Sequence, residues 1–283
     1  MRGLLLLMAA VGACGLVVWF GPAVADRLVA LLGDAQQNMA VVETIYTLTI
    51  FGALFVIAVA GGAWAKLNPF RPGKRPAVML ASGAFVGAAG IVAAAVLAHA
   101  AGSLDPGAAP ESGSSTLIWG SVLVLFAATA EEVYFRGWLQ PALAREYGVP
   151  IAILLTAFAF AGLHVMGGAR SPTTLVNLAL GGLLFGLLAA RGGGLSGAVT
   201  AHFAWNWTEQ IGLGLDPNPG LGSFGALADF ELTGAALWGG SDEGLNASLA
   251  MTIALLALLV PMLILEWKTL VSWPSRRRPA PAE

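Results

Sequence analysis

Apolar runs of about 18 or more residues recur along the whole sequence, each long enough to cross a ~30 Å hydrocarbon layer as a helix rising ~1.5 Å per residue. Lipid offers the backbone no hydrogen-bond partner, so only helices and closed barrels can span it. The alternation of a barrel strand is absent. The expected fold class is therefore all-α, a polytopic membrane helix bundle. Composition agrees, since 57% of the 283 residues are apolar and 11% charged, against the ~25% charged that is usual for soluble domains. Reading the runs between polar or Gly/Pro breaks predicts about eight transmembrane helices, near residues 3–25, 42–65, 77–101, 118–141, 149–167, 173–190, 195–214 and 246–268.

The charges between these spans predict a topology. With the N-terminus in the cytoplasm, Lys66, Arg71, Lys74 and Arg75, then Arg145, then Arg191, and finally Lys268 and Arg276 to Arg278 all fall inside. The opposite loops carry Asp105 and Glu111, then Asp216, Asp229, Glu231, Asp242 and Glu243, with only Arg27 and Arg170 against the bias. Both termini are therefore expected in the cytoplasm of a bacterial inner membrane. The chain divides into N-terminal helices over 1–117, a core over 118–214, an extracytoplasmic loop over 215–245, and a last helix with a basic tail over 246–283. Loop 215–245 reads as a lid or a short interfacial helix, or else as disordered chain with interfacial aromatics. Met1-Arg2, an apolar run and Ala23-Val24-Ala25 resemble a signal peptide, but the run exceeds the usual h-region, and an uncleaved first helix is expected. Cys14, the single cysteine, excludes an intrachain disulfide and fits a small buried apolar residue better than a lipidation site. A net charge of −2 without a basic face excludes a nucleic-acid partner.

Ionisable residues within the spans are few, and most lie in three short segments. Because a charge at mid-bilayer costs at least ~2.5 kcal/mol, such residues usually face the bundle interior and mark function. The first segment is Glu131-Glu132-Val133-Tyr134-Phe135-Arg136. Glu132 and Arg136, at i and i+4 with the acid first, suit an ion pair on one helix face and leave Glu131 free. Gly137 and Pro141 also allow an interfacial helix end here. The second segment places Phe160 one turn before His164, so that the ring limits the imidazole's rotamers. The third puts His202 and Asn206 at i and i+4, able to address one ligand atom. His99 reads as interfacial, and Gly182 with Gly186 as a close-packing pair. For the three segments to meet, helix arithmetic leaves Glu131 and His164 about 12 Å apart in depth unless the fourth span begins nearer Val122.

Taken together, these motifs are similar to the EExxxR, FxxxH and HxxxN motifs of the CPBP family, the CAAX-protease and bacteriocin-processing (Abi) intramembrane peptidases. The resemblance covers about 118–210. It implies hydrolysis of a peptide bond within the membrane, with a membrane-associated protein or peptide as substrate. On that reading Glu131 activates water, His164 helps to hold it, and His202 and Asn206 donate to the oxyanion. Glu132, Arg136 and Phe160 support them. No cofactor is expected. In a zinc-dependent alternative, Glu131, His164 and His202 would be the ligands and water would take an open fourth position. A proton-coupled transporter and a non-catalytic membrane chaperone or immunity factor are the readings from other classes, since such proteins also bury Glu, His and Arg.

Overall fold

A computed structural model describes residues 2–108, 114–218 and 224–271. Glu111 and the basic tail from residue 272 onward lie outside the described residues. The helices are α1 (Arg2–Ala30), α2 (Met39–Trp64), α3 (Pro76–Ala100), α4 (Ser114–Glu132), α5 (Gln140–Tyr147), α6 (Val149–Met166), α7 (Pro172–Gly192), α8 (Ser196–Trp207) and α9 (Leu249–Val271). A π-helical segment, Val133–Leu139, joins α4 to α5, giving one rod over Thr116–Tyr147. Among the described residues, seven helices are long and apolar enough to cross a membrane. The eighth rod is the shorter α8, prolonged by a π turn over Thr208–Gly212.

Large apolar side chains such as Trp19, Val56, Phe85 and Ile264 are each more than 60% exposed, while Glu132 and Arg136 are buried. That distribution suits a lipid solvent and would be untenable in water. The interior forms two apolar clusters. One gathers α3, α7, α8 and α9 around Ile91, Leu184, Trp205 and Leu255. The other gathers α1, α2, the π segment and α6 around Leu54, Tyr134, Leu139 and Phe160. Close approaches depend on glycine, as lipid provides little hydrophobic drive between helices. A Cβ on Gly87 of α3 would sit 2.1 Å from the Ala201 carbonyl oxygen of α8, and one on Gly182 of α7 would sit 2.9 Å from Ala157 Cα of α6.

The charged loops segregate as expected. Arg145 donates to the Ala65 and Lys66 carbonyls at 2.6 and 3.2 Å, and the backbone of 71–74 bonds to Gly192 and Leu195. Gly3 abuts Glu146 and Tyr147, and Arg191 pairs with Glu266 at 3.2 Å, so both ends of the bundle's chain reach this basic face. At the opposite, acidic face, strands β1 (Leu104–Pro106), β2 (Leu215–Asp216) and β3 (Phe230–Leu232) form a small sheet in the order β1-β3-β2, with β1 antiparallel and β2 parallel to β3. Much of loop 215–245 is thus tied by backbone hydrogen bonds. Its described part also carries short 3-10 turns at Ala236–Trp238 and Gly244–Ala247, and its strands of two or three residues are too short to show an alternation in sequence.

Two boundaries differ from expectation. The fourth rod does not stop near residue 141. Gly137 lets the Pro69 carbonyl approach to 2.3 Å from where a Cβ would stand, and the wider π turns ahead of Pro141 absorb its missing N–H. Nor does that rod begin near Val122. The motifs meet because α4–α5 and α6 form a hairpin about Gly148, with Arg136 and Phe160 each 12 residues from that turn and Glu132 and His164 each 16. Antiparallel helices place equal counts at equal depth.

Candidate active site

The π segment sets the site's floor. Widening the helix at Val133–Leu139 keeps Tyr134, Phe135, Arg136 and Trp138 all buried at once, and π bulges of this kind recur at functional sites. Tyr134 Oη donates to the Ala10 carbonyl at 2.6 Å and pins the segment to α1. Arg136 Nη1 meets Glu132 Oε1 at 2.7 Å, with both side chains fully buried, so the helix-end reading of this motif does not hold. Its Nη2 donates to the Gly182 carbonyl at 3.0 Å. One turn on, Gln140 Nε2 donates to the Gly186 carbonyl at the same distance. Phe135, Phe160 and Phe185 place their ring centroids 5.5, 5.0 and 5.6 Å from the Arg136 guanidinium carbon. Such a desolvated cation over aromatic faces gains ~2 kcal/mol.

His202 on α8 faces this floor. Its Nδ1 lies 2.9 Å from Glu132 Oε1 and its Nε2 3.4 Å from Glu131 Oε2. Neighbouring glutamates that point in different directions therefore engage different atoms of one imidazole. The Glu132 carboxylate, already paired with Arg136, can only accept, so Nδ1 carries a proton. The ring stacks on Phe185, with centroids 4.7 Å apart and planes 15° apart, and meets Phe160 edge-on at 6.1 Å. On α6, His164 Nδ1 lies 2.8 Å from the Phe160 carbonyl. A carbonyl can only accept, so this nitrogen is the donor and Nε2 is left to act as acceptor. The Phe160 ring sits 4.5 Å from His164, as the spacing predicts. Asn206, one turn beyond His202, is half-buried and makes no side-chain hydrogen bond to the described residues.

The structure thus brings Glu131, Glu132, Arg136, Phe160 and His202 together by direct contact, and places His164 beside Phe160 and Asn206 a turn from His202. Among the described residues, no three His, Cys, Asp or Glu side chains are arranged to hold a metal ion. His202 Nε2 and Glu131 Oε2, 3.4 Å apart, have a separation that two ligands of one tetrahedral zinc could take, with Nδ1 held by Glu132 from behind, while His164 makes its polar contact with the Phe160 carbonyl instead. His99, at the end of α3, has its Nδ1 3.1 Å from the Leu104 carbonyl and is part of the loop junction. Cys14 is a buried packing residue within α1.

Two further residues were not singled out in the sequence. Phe185 is one apolar residue among many on α7, and only the fold places it against His202. Glu209, in the π turn after α8, is 4% exposed and forms no ion pair among the described residues. Its spacing of i+7 from His202 and i+3 from Asn206 was a usable signal. A surface cavity of about 310 Å³ lies elsewhere, between the start of α7 and residues 236–247. It has none of the motif side chains in its lining.

Residues 113–208, about a third of the chain, match the family model described as type II CAAX prenyl endopeptidase Rce1-like. No curated protein matches the chain significantly. The match spans all three motifs.

Proposed function

We propose that Glu131 activates the water that cleaves a peptide bond of a membrane-associated substrate, a reading supported by the match of residues 113–208 to the Rce1-like CAAX prenyl endopeptidase family model and by their place in a bundle of helices long and apolar enough to cross a membrane. The observation that carries this is the division of labour between adjacent carboxylates. Glu132 is locked between Arg136 and His202 with no exposure, whereas the Glu131 side chain retains 16% and touches only the weaker, 3.4 Å side of His202. A base must reach its water, and Glu131 is the carboxylate positioned to do so.

The steps follow from the side chains. Glu131 takes a proton from water while His164 Nε2 accepts the other hydrogen bond and orients it. The hydroxide attacks the scissile carbonyl carbon. As negative charge gathers on the carbonyl oxygen, Asn206 Nδ2 donates to it, and so does His202 Nε2 in the imidazolium form, with Nδ1–H on Glu132 and Nε2–H facing Glu131 before the oxyanion forms. Such donors act strongly in a dry, preorganised site. Glu131 then passes its proton to the departing amine, the C–N bond breaks, and an acid and an amine are released. Glu132 and Arg136 are positioning residues, holding His202 as a carboxylate holds the imidazole of a hydrolase triad. The metal-free reading is supported by the spacing of the side chains, since among the described residues no three His, Cys, Asp or Glu gather round one point. Activity that survives exhaustive chelation supports it, and recovery specifically by zinc contradicts it.

Comparing the membrane and secreted peptides of cells carrying the native chain or Glu131→Gln tests the function. New termini that vanish in the variant, with substrate accumulating uncut, are expected. Unchanged termini would sink the reading, and a loss of ion flux instead would favour a transporter.

A further inference from the structure

We propose that this active site is sealed toward the basic face and reached from the acidic face, so that its substrate is a peptide segment on the extracytoplasmic side of the membrane. The inference rests on the peptidase reading and specifies which substrates can meet the site.

Burial is graded across the site. On the basic side, Phe135, Arg136, Leu139, Gln140, Ile153, Thr156, Ala157 and Phe160 are each no more than 5% exposed. Arg136 and Gln140 bond to successive turns of α7 through the Gly182 and Gly186 carbonyls. Glycine at both positions lets that backbone come close enough to shut the seam. No peptide passes such a plug without unpairing the buried Arg136 guanidinium from Glu132 and the Gly182 carbonyl.

Toward the acidic face the packing changes. Above the hairpin, α4 packs against α2 and α8, while α6 packs against α1, α5 and α7. The two arms that carry Glu131 and His164 therefore turn to different neighbours. Glu131, His164 and Asn206 are all partly exposed, and Gly162, Val165 and Met166 on α6 are exposed, the last two at 40% and 43%. His164 stands two residues from the end of α6 at this face, but 15 from its start at the basic face.

Lys66, Arg71, Lys74, Arg75, Arg145 and Arg191 lie on the sealed side. Asp105, Asp216, Asp229, Glu231, Asp242 and Glu243 lie on the open one, with Arg27 and Arg170 as its basic exceptions. Basic loops stay in the cytoplasm. A C-terminal tail held in the cytoplasm would meet only the plug, whereas the juxtamembrane part of an exported or membrane-anchored protein meets Glu131 directly.

Thiol labelling tests the direction of access without requiring catalysis. In a Cys14→Ala background, Asn206→Cys or His164→Cys should react with a membrane-impermeant sulfonated maleimide added to intact spheroplasts, and Lys74→Cys only in inside-out vesicles. Labelling of both site cysteines solely from the inside-out orientation, or from neither side, overturns the proposal. New termini that depend on Glu131 should fall in extracytoplasmic sequences, and their confinement to cytoplasmic sequences also overturns it. Outside labelling with no Glu131-dependent termini anywhere would instead refute the peptidase reading.

Discussion

Replacing Arg136 by methionine removes the charge from the pair that underlies the site while keeping most of its volume. The change breaks a 2.7 Å ion pair with both side chains fully buried, and a 3.0 Å bond to the Gly182 carbonyl. It strands the Glu132 carboxylate in low dielectric, a loss that typically costs ~3–5 kcal/mol. Glu132 keeps His202 at 2.9 Å, which places the expected cost near the lower end, about 3 kcal/mol. Glu132→Gln should cost less, about 2 kcal/mol, because Arg136 retains Gly182 and three aromatic faces. In the double variant no unpaired charge remains, so its cost should fall short of the sum by ~2 kcal/mol. Equilibrium unfolding in mixed micelles, run as a double-mutant cycle, reads all three values. A cost below ~1 kcal/mol for Arg136→Met, or strict additivity, would refute the view that this pair is a buried, mutually dependent unit.

Gly87→Leu should overpack the α3–α8 contact, where a Cβ already meets Ala201 O at 2.1 Å, and lose ~1–3 kcal/mol together with peptidase activity. Gly52→Leu, with nothing within 4 Å of its Cβ, is the control expected to do neither. Phe185→Leu removes the ring stacked on His202 and should lower cleavage by up to ~10², as for a misplaced catalytic group, with substrate binding retained. Partial burial works to raise the Glu243 carboxyl. The Thr174 hydroxyl, the Ser171 and Arg170 amides and the Arg170 charge outweigh it and hold this acid below its ordinary range. The stabilisation is thus present above the unfolded-state value of ~4.3 and is lost only as pH falls through the lower folded one. Hydrogen exchange at residues 165–174 should stay slow at neutral pH, rise in acid, and be fast throughout in Glu243→Gln.

Much of this arrangement is legible in the sequence because it is local or periodic. Apolar run length gives the spans, i to i+4 spacing gives the Glu132–Arg136 pair and the Phe160–His164 contact, and loop charge separates two faces that the structure keeps apart. What escaped is non-local. The stacking of Phe185 on His202 joins residues 17 apart on antiparallel helices, and nothing in an all-apolar helix marks one phenylalanine over another. The three-stranded sheet joins Leu104 to Leu232 across nearly half of the chain with strands too short for a pattern. Gly137 and Pro141 carry their usual helix-ending meaning, which the π segment overrides once Pro69 and the buried aromatics pack against it. The equal spacing of Arg136 and Phe160, and of Glu132 and His164, about Gly148 was present in the sequence and fixes their common depth better than distances counted from uncertain span ends.

Cleavage rates of Glu131→Gln, Asn206→Ala and the combination of the two decide most directly whether groups on separate helices serve one reaction. Asn206→Ala alone should slow cleavage ~10²–10³-fold, and once Glu131 is gone its loss should change the residual rate little, as for members of one catalytic unit. Independent, fully multiplicative losses, or a combined variant that still cuts at the Asn206→Ala rate, would contradict a single site built from the two helices.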